Sequence, residues 1–204
     1  MRLIGMLDSP YVRRTAISMR FMGLPFAHES VSVFRHYDQF ARINPVVKAP
    51  TLVLDDGTVL MDSGLILEYL ERLAAPERRL TPARPGAHAN AQRLIGLALA
   101  ACEKTMQIVY ETELRPAEKM HRPWLDRIEG QLRTAYGLLE TGIGSGEAWL
   151  AGDRPLQADI TVAVGWRFTQ LMLADRIAPA DYPALARFSA RAEDLPEFVA
   201  TPPV

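Results

Sequence analysis

Apolar and polar positions change their period several times within the first third of the chain. Residues 3–7 form a short apolar run that reads as a buried strand. Ser9-Pro10 then opens a helix: serine is a strong N-cap, and proline at the first helical position lacks only an N–H that would have no partner there. Val12, Ala16 and Met19 fall at i, i+4 and i+7 and give this helix one core-facing stripe. Gly23 followed by Pro25 ends it. Val31 and Val33 alternate with Ser30 and Ser32, a period of two that predicts a half-buried strand. A short helix over 38–43 stops at Asn44-Pro45, since a residue before proline is pushed out of the α region. Apolar runs at 51–54 and 59–61 flank Asp55-Asp56-Gly57-Thr58, a hairpin signal. Asp62-Ser63-Gly64 caps a helix whose Ile66, Leu70 and Leu73 make one apolar stripe. The order β-α-β-α-β-β-α joins a parallel crossover to an antiparallel hairpin, so a mixed four-stranded sheet is expected.

After residue 73 the pattern changes. Residues 74–86 carry Pro76, Pro82 and Pro85 with Glu77, Arg78, Arg79 and Arg84 between them, the composition of a stiff polar linker. Beyond it, alanine- and leucine-rich stretches at 87–114, 123–140, 156–174 and 183–193 all read helical. Gly142, Gly144 and Gly146 break the chain between the second and third of these. The expected organisation is an α/β unit over 1–75, a linker over 76–86 and an all-helical unit over 87–204.

Composition narrows the function classes. The 204 residues are 49% apolar and 23% charged, an ordinary globular profile with room for one or two domains. Lys and Arg total 23 against 24 Asp and Glu, for a net charge of −1, so the basic balance of a nucleic-acid binder is missing. The single cysteine, Cys102, excludes an intramolecular disulfide framework, a C-x-x-C redox pair and a multi-thiolate zinc site, and reads as a buried, inert thiol. His28, His36, His88 and His121 lack metal-ligand spacing, so no metal is expected. No apolar run approaches the roughly 18–20 residues of a membrane span, and Asp8 comes too early for a secretory signal. A cytoplasmic protein without a membrane partner is expected.

Three segments carry candidate chemistry. Ser9 is by itself a plain helix cap, but a hydroxyl beside the positive end of a helix also suits a bound anion. In thioredoxin-like oxidoreductases this first strand-to-helix turn holds C-x-x-C; here Ser9-Pro10-Tyr11-Val12 holds no thiol, so dithiol chemistry is excluded. A cis bond before Pro50, in Asn44-Pro45-Val46-Val47-Lys48-Ala49-Pro50-Thr51-Leu52, would turn the Ala49 N–H and C=O toward the Ser9 turn. Asp62-Ser63 is either an N-cap pair or a receptor for an α-amino-acid end group, with Asp62 on the ammonium and Ser63 on the carboxylate. Arg13 and Arg14, one turn into the first helix, either raise the local positive potential or, as the commoner case, are solvated charges or residues at a subunit boundary. Met106, Tyr110, Trp166 and Phe168 are either core or lining for a hydrophobic acceptor.

Over roughly its full length the chain resembles the glutathione S-transferase superfamily. The resemblance rests on S-P-Y-V-R-R, N-P-V-V-K-A-P-T-L and M-D-S-G-L-I-L-E-Y-L in this order, with the Ser-Pro-aromatic opening similar to the tau-class and omega-like bacterial branches. It implies a thioredoxin-like N-terminal domain, an all-helical C-terminal domain and a homodimer. It also implies that Ser9 hydrogen-bonds the glutathione sulfur, that Lys48, Ala49 and a cis-Pro50 read the cysteinyl and glycyl ends, and that Asp62 and Ser63 hold the γ-glutamyl group. The implied activity is conjugation of glutathione, as cosubstrate, to an electrophilic hydrophobic small molecule. A glutathione-dependent lyase, dehalogenase or isomerase on the same fold, and a non-catalytic binding or regulatory protein, are the alternatives. Gly152-Asp153-Arg154-Pro155-Leu156-Gln157-Ala158-Asp159-Ile160-Thr161 resembles the family's helix-capping stretch, with Leu156 where the family places Ser or Thr, so a reciprocal capping box is not expected.

Overall fold

The structure, a computed structural model, describes residues 1–203; Val204, the last residue of the expected helical unit, lies outside them. The first strand, β1 (Arg2–Ile4), is shorter than the apolar run suggests, because Gly5, at φ 135°, already turns the chain toward the first helix. That helix, α1 (Pro10–Met22), buries Val12, Ala16 and Met19 as the stripe predicts. Gly23 closes it at φ 69°, its N–H reaching Arg20 O while Leu24 N–H reaches Met19 O, the paired bonds of a glycine C-cap. The next strand, β2, is Ala27–Glu29 rather than the Val31/Val33 segment. It is an edge strand with little burial, so it carries no apolar alternation to read. Val31 instead packs with Ile4 and Phe40 from an irregular stretch. Ser32 there accepts from Phe34 N–H and Arg35 N–H and leads into α2 (Tyr37–Ile43).

The hairpin strands β3 (Thr51–Val53) and β4 (Val59–Met61) follow, then α3 (Ser63–Leu73). The sheet order is β2-β1-β3-β4, with β1 and β2 parallel and the other pairs antiparallel, the mixed four-stranded sheet expected. Ile66 and Leu70 of α3 are buried, but Leu73 is 47% exposed and Leu67 takes the third place in the stripe.

Two charged stretches of the sequence pack closely. Arg13 and Arg14 are not solvated: they are 2% and 3% exposed. The stiff polar linker is docked in its first part. Glu71 accepts from Leu80 N–H and Thr81 N–H, Arg79 Nε donates to Ala74 O, and the Arg78 side chain covers Gly23 so closely that a Cβ there would clash.

The chain divides into two compact units. Residues Met1–Thr81 and those from Asp194 onward form the first, and Pro82–Glu193 the second. The residues from Asp194 onward, expected with the helical unit, therefore pack with the α/β unit. A short turn of helix, α8 (Pro196–Val199), buries Phe198 edge-on to Phe21 and under the Arg13 guanidinium. Arg13 Nε donates to Thr201 O at 2.8 Å, and Arg20 Nε to Thr201 Oγ1 at 3.0 Å.

In the second unit, α4 (Pro85–Val109) packs on α5 (Arg122–Gly142) and α6 (Gln157–Leu173), and α6 on α7 (Pro183–Glu193). A wider π turn over Tyr110–Leu114 ends α4; Glu111 braces it by accepting from Arg115 Nε and His121 N–H. Helix α5 ends at Gly142, so the glycines at 142, 144 and 146 mark the break between α5 and α6 as expected. Helix α6 is buried almost all round, Trp166 and Phe168 included, so both belong to the core of this unit. Cys102 is buried too, and Gly165 leaves room for its sulfur: a Cβ there would sit 3.2 Å from Sγ. The start of α6 carries half a capping box. Leu156 has no acceptor to offer, but Asp159, 1% exposed, accepts from Leu156 N–H (2.9 Å) and Leu150 N–H (2.8 Å). Burial raises the Asp159 carboxyl from its ordinary value, more than these bonds and Arg191 lower it.

Candidate functional site

One rung of the sheet assembles the site. Ile4 pairs with Thr51, and Thr51 with Met61. The chain leaves the sheet just after Ile4 toward Ser9, enters it just after Lys48, Ala49 and Pro50, and leaves again just before Asp62 and Ser63. All six sequence-predicted residues therefore belong to segments that meet at one end of the three strands. With neighbouring strands about 4.8 Å apart, Ile4 and Met61 are roughly 10 Å apart across this rung.

Ser9 is the N-cap of α1, with extended backbone (φ −71°, ψ 123°). Its carbonyl accepts the first helical bond, from Arg13 N–H at 2.9 Å, but its hydroxyl makes no capping bond. The simplest role for this serine is thus not the one it performs, and its Oγ is left beside the positive end of a 13-residue helix. His28 Nε2 donates to Gly5 O (2.8 Å) behind the turn. A Cβ on Gly5 would lie 2.6 Å from Val12 Cγ2 and 3.1 Å from Ala49 Cβ, so the turn and the Ala49 segment approach as closely as glycine allows.

The peptide between Ala49 and Pro50 is cis. The loop before it is held by two buried polar residues, Asn44 and Thr51. Asn44 Nδ2 donates to Thr51 Oγ1 (2.9 Å), Thr51 Oγ1 donates to Lys48 O (2.7 Å), and Val46 N–H donates to Asn44 Oδ1 (3.0 Å). Val47, held by its N–H to Asn44 O (2.9 Å), sits at φ 53°, a left-handed conformation that costs a β-branched residue about 1–3 kcal/mol. A proline-flanked Asn in a run toward a strand was the only sequence signal of this brace.

Asp62, also at positive φ (71°), caps α3 by accepting from Gly64 N–H at 2.9 Å. Its other oxygen lies 3.9 Å from Lys48 Nζ, both side chains being half-exposed. Ser63 is only 5% exposed, and its Oγ accepts from Arg14 Nε at 3.1 Å. The pairing of Arg14 with Ser63 is not visible in the sequence. Arg14 lies between Val12 and Ala16, inside the buried arc of α1, where a charge needs a polar partner. Of the remaining candidates, Met106 is half-buried and Tyr110 exposed in the second unit. Among the described residues there is no group of three or more His, Cys, Asp or Glu that could hold a metal ion, and no helix is long and apolar enough to cross a membrane.

Known proteins share this fold. A glutathione S-transferase from Methylobacterium radiotolerans JCM 2831, solved in complex with glutathione sulfonate, superposes with a TM-score of 0.90 over 98% of this chain and 93% of that one, at 28% identity. Maleylacetoacetate isomerase of Pseudomonas aeruginosa PAO1 is 26% identical over 207 residues, which is 97% of this chain and 93% of that protein. The uncharacterized GST-like protein YibF of Escherichia coli K12 is 27% identical over 140 residues, 69% of this chain and 68% of YibF. Residues 3–78 match the glutathione S-transferase N-terminal domain and residues 122–191 the glutathione S-transferase C-terminal domain, and the chain belongs to the glutathione S-transferase superfamily.

Proposed function

We infer that the protein is a glutathione transferase: it binds glutathione along the Ile4–Thr51–Met61 rung and delivers its thiolate to an electrophilic, hydrophobic small molecule. The observation that carries this reading is the Ser9 hydroxyl, uncommitted to capping, at the N-terminus of α1 beside the Ala49 segment. A tripeptide-length ligand reaches up to roughly 10 Å extended, which matches the width of the rung. At one end Asp62 takes the γ-glutamyl ammonium while Ser63 and the start of α3 take its carboxylate. In the middle the Ala49 N–H and C=O pair with the cysteinyl backbone, and Lys48 attends the glycyl end.

A free thiol titrates near 8.5, so little of it is ionised at neutral pH. A hydroxyl donating to the sulfur, together with the helix end, favours the thiolate and lowers that value. Attack on the electrophile then needs mainly proximity and orientation.

The test is the ultraviolet absorbance of bound thiolate against pH in wild type and Ser9→Ala. One lost charge-assisted bond is worth about 1.5–3 kcal/mol, which raises the midpoint by about one to two pH units. Turnover falls at neutral pH, glutathione affinity changes little, and the deficit shrinks as pH rises. Overlaying titrations would remove Ser9 from the chemistry.

The likeness to maleylacetoacetate isomerase over 97% of the chain favours a second reading, in which the same thiolate adds reversibly to an activated double bond. Stoichiometry separates the two. A transferase consumes one glutathione per product, an isomerase returns it, and a binding protein turns over neither an aryl-halide panel nor an activated alkene. We also propose a homodimer, twofold dimers being the commonest assemblies; sedimentation at micromolar concentration is expected to give twice the 22.7 kDa chain mass, and a monomer would refute it.

A further inference from the structure

The geometry points to Arg14 as a positioning residue that sets the direction of the Ser63 hydroxyl and so readies it to donate to a carboxylate at the start of α3. This rests on the reading that glutathione's γ-glutamyl carboxylate binds there. Arg14 lies on α1 and Ser63 on α3, 49 residues apart, yet both are almost wholly buried, and Arg14 Nε donates to Ser63 Oγ at 3.1 Å. A serine hydroxyl has two acceptor lone pairs and one proton. Because the guanidinium has no acceptor, it can only donate, and the bond fixes Ser63 Oγ as the acceptor in this pair. The hydroxyl proton is then the remaining capacity of a side chain 95% removed from water, and among the described residues it finds no acceptor. An unmatched donor that deeply buried is costly unless a ligand takes it.

The position of that donor is specific. Ser63 is the first residue of α3, an eleven-residue helix whose preceding residue, Asp62, spends one carboxylate oxygen on Gly64 N–H. The Arg14 guanidinium extends beneath this turn, its Nη2 4.0 Å from where a Cβ on Gly64 would lie. Helix N–H groups at the start of α3 and a proton held in one direction both favour a negative group at the same place. Arg14 touches no ligand itself; it acts through Ser63. Its role is therefore to discriminate a γ-glutamyl end with a free carboxylate from one without.

The experiment measures calorimetric affinity for two ligands, glutathione and its decarboxy analogue, in which 4-aminobutyryl replaces the γ-glutamyl group. Wild type, Arg14→Lys, Arg14→Met, Ser63→Ala and the double variant Arg14→Met/Ser63→Ala are compared. Arg14→Lys keeps charge and much of the buried length, so it remains folded if removal of the arginine proves too disruptive. The expected result is that each Arg14 variant binds glutathione roughly ten-fold more weakly than wild type while its affinity for the decarboxy analogue is unchanged. In the Ser63→Ala background, Arg14→Met adds no further loss. Equal weakening toward both ligands, or full additivity of the two substitutions, overturns the positioning role and leaves Arg14 a packing residue. If wild type itself fails to distinguish glutathione from the analogue, the γ-glutamyl placement is what fails, and the inference with it. Ser63→Ala weakening glutathione while Arg14→Lys and Arg14→Met do not would overturn the inference alone.

Discussion

Replacing Thr51 by valine isolates the brace under the 44–50 loop, which we propose receives glutathione. Valine preserves the shape, the β-branch and the strand preference of a fully buried residue, and deletes only the hydroxyl. Two bonds go with it, from Asn44 Nδ2 and to Lys48 O. The losses are unequal. Lys48 lies in an exposed part of the loop, so its carbonyl can turn to water. Asn44 is buried, and Nδ2 keeps only the weak Met61 sulfur at 3.6 Å. The net cost is the desolvation of one amide donor, about 1–3 kcal/mol. In a chain of this size each kcal/mol lowers Tm by about 2–4 °C, so a drop of about 4–8 °C is expected for the middle of that range. Pairing of β3 with β1 and β4 needs none of these side-chain bonds, so the damage falls on 44–50. Glutathione then has to order the loop on binding, and each 1.4 kcal/mol so transferred weakens Kd about tenfold. Thermal melts and calorimetry on the same sample measure both. A variant melting within a degree of wild type with unchanged glutathione affinity would refute the brace.

Two more outcomes follow from features of the fold. Gly5→Ala places a Cβ against Val12 and Ala49 at φ 135°; a loss of about 2–4 kcal/mol in chemical denaturation is expected, and a loss below half a kcal/mol would mean the turn is not tight. Asp159, raised by burial, favours its protonated form in the folded chain, so its contribution is fully present below the unfolded value near 3.8 and declines as pH rises through the folded value. The stability of wild type relative to Asp159→Asn is therefore expected to improve from pH 7 toward pH 4.5, measured by denaturation midpoints; a margin that shrinks on acidification would reverse the sign of the shift.

The sequence was most legible where one residue type had one physical reading. Pro10, Gly23 and the Asp56-Gly57 turn mark their elements almost to the residue, because each relies on backbone constraints that no neighbour can override. The starts of α1 at Ser9 and α3 at Asp62 were as well placed, although each of these residues carries two readings. Strand β2 was not, since an edge strand of Ala-His-Glu is held by main-chain bonds to β1 and leaves no side-chain period. Arg13, Arg14, Asn44 and Thr51 stayed hidden for a related cause. A buried polar side chain is defined by its partner, and here the partners lie 7 to 188 residues away.

The return of the chain to α1 gives the protein an order of manufacture. Thr201, whose carbonyl receives Arg13 Nε, is translated 188 residues after that arginine, with the whole of the helical unit in between. At 5–20 residues per second this is an interval of roughly 10 to 40 s. During that time the sheet and α1 can form, and the helical unit can fold to completion, while the groove on α1 that takes Phe198 and Thr201 stands open. The first unit begun is thus the last one finished, and a released chain truncated before Phe198 is expected to carry a protease-sensitive α1 and a resistant helical unit.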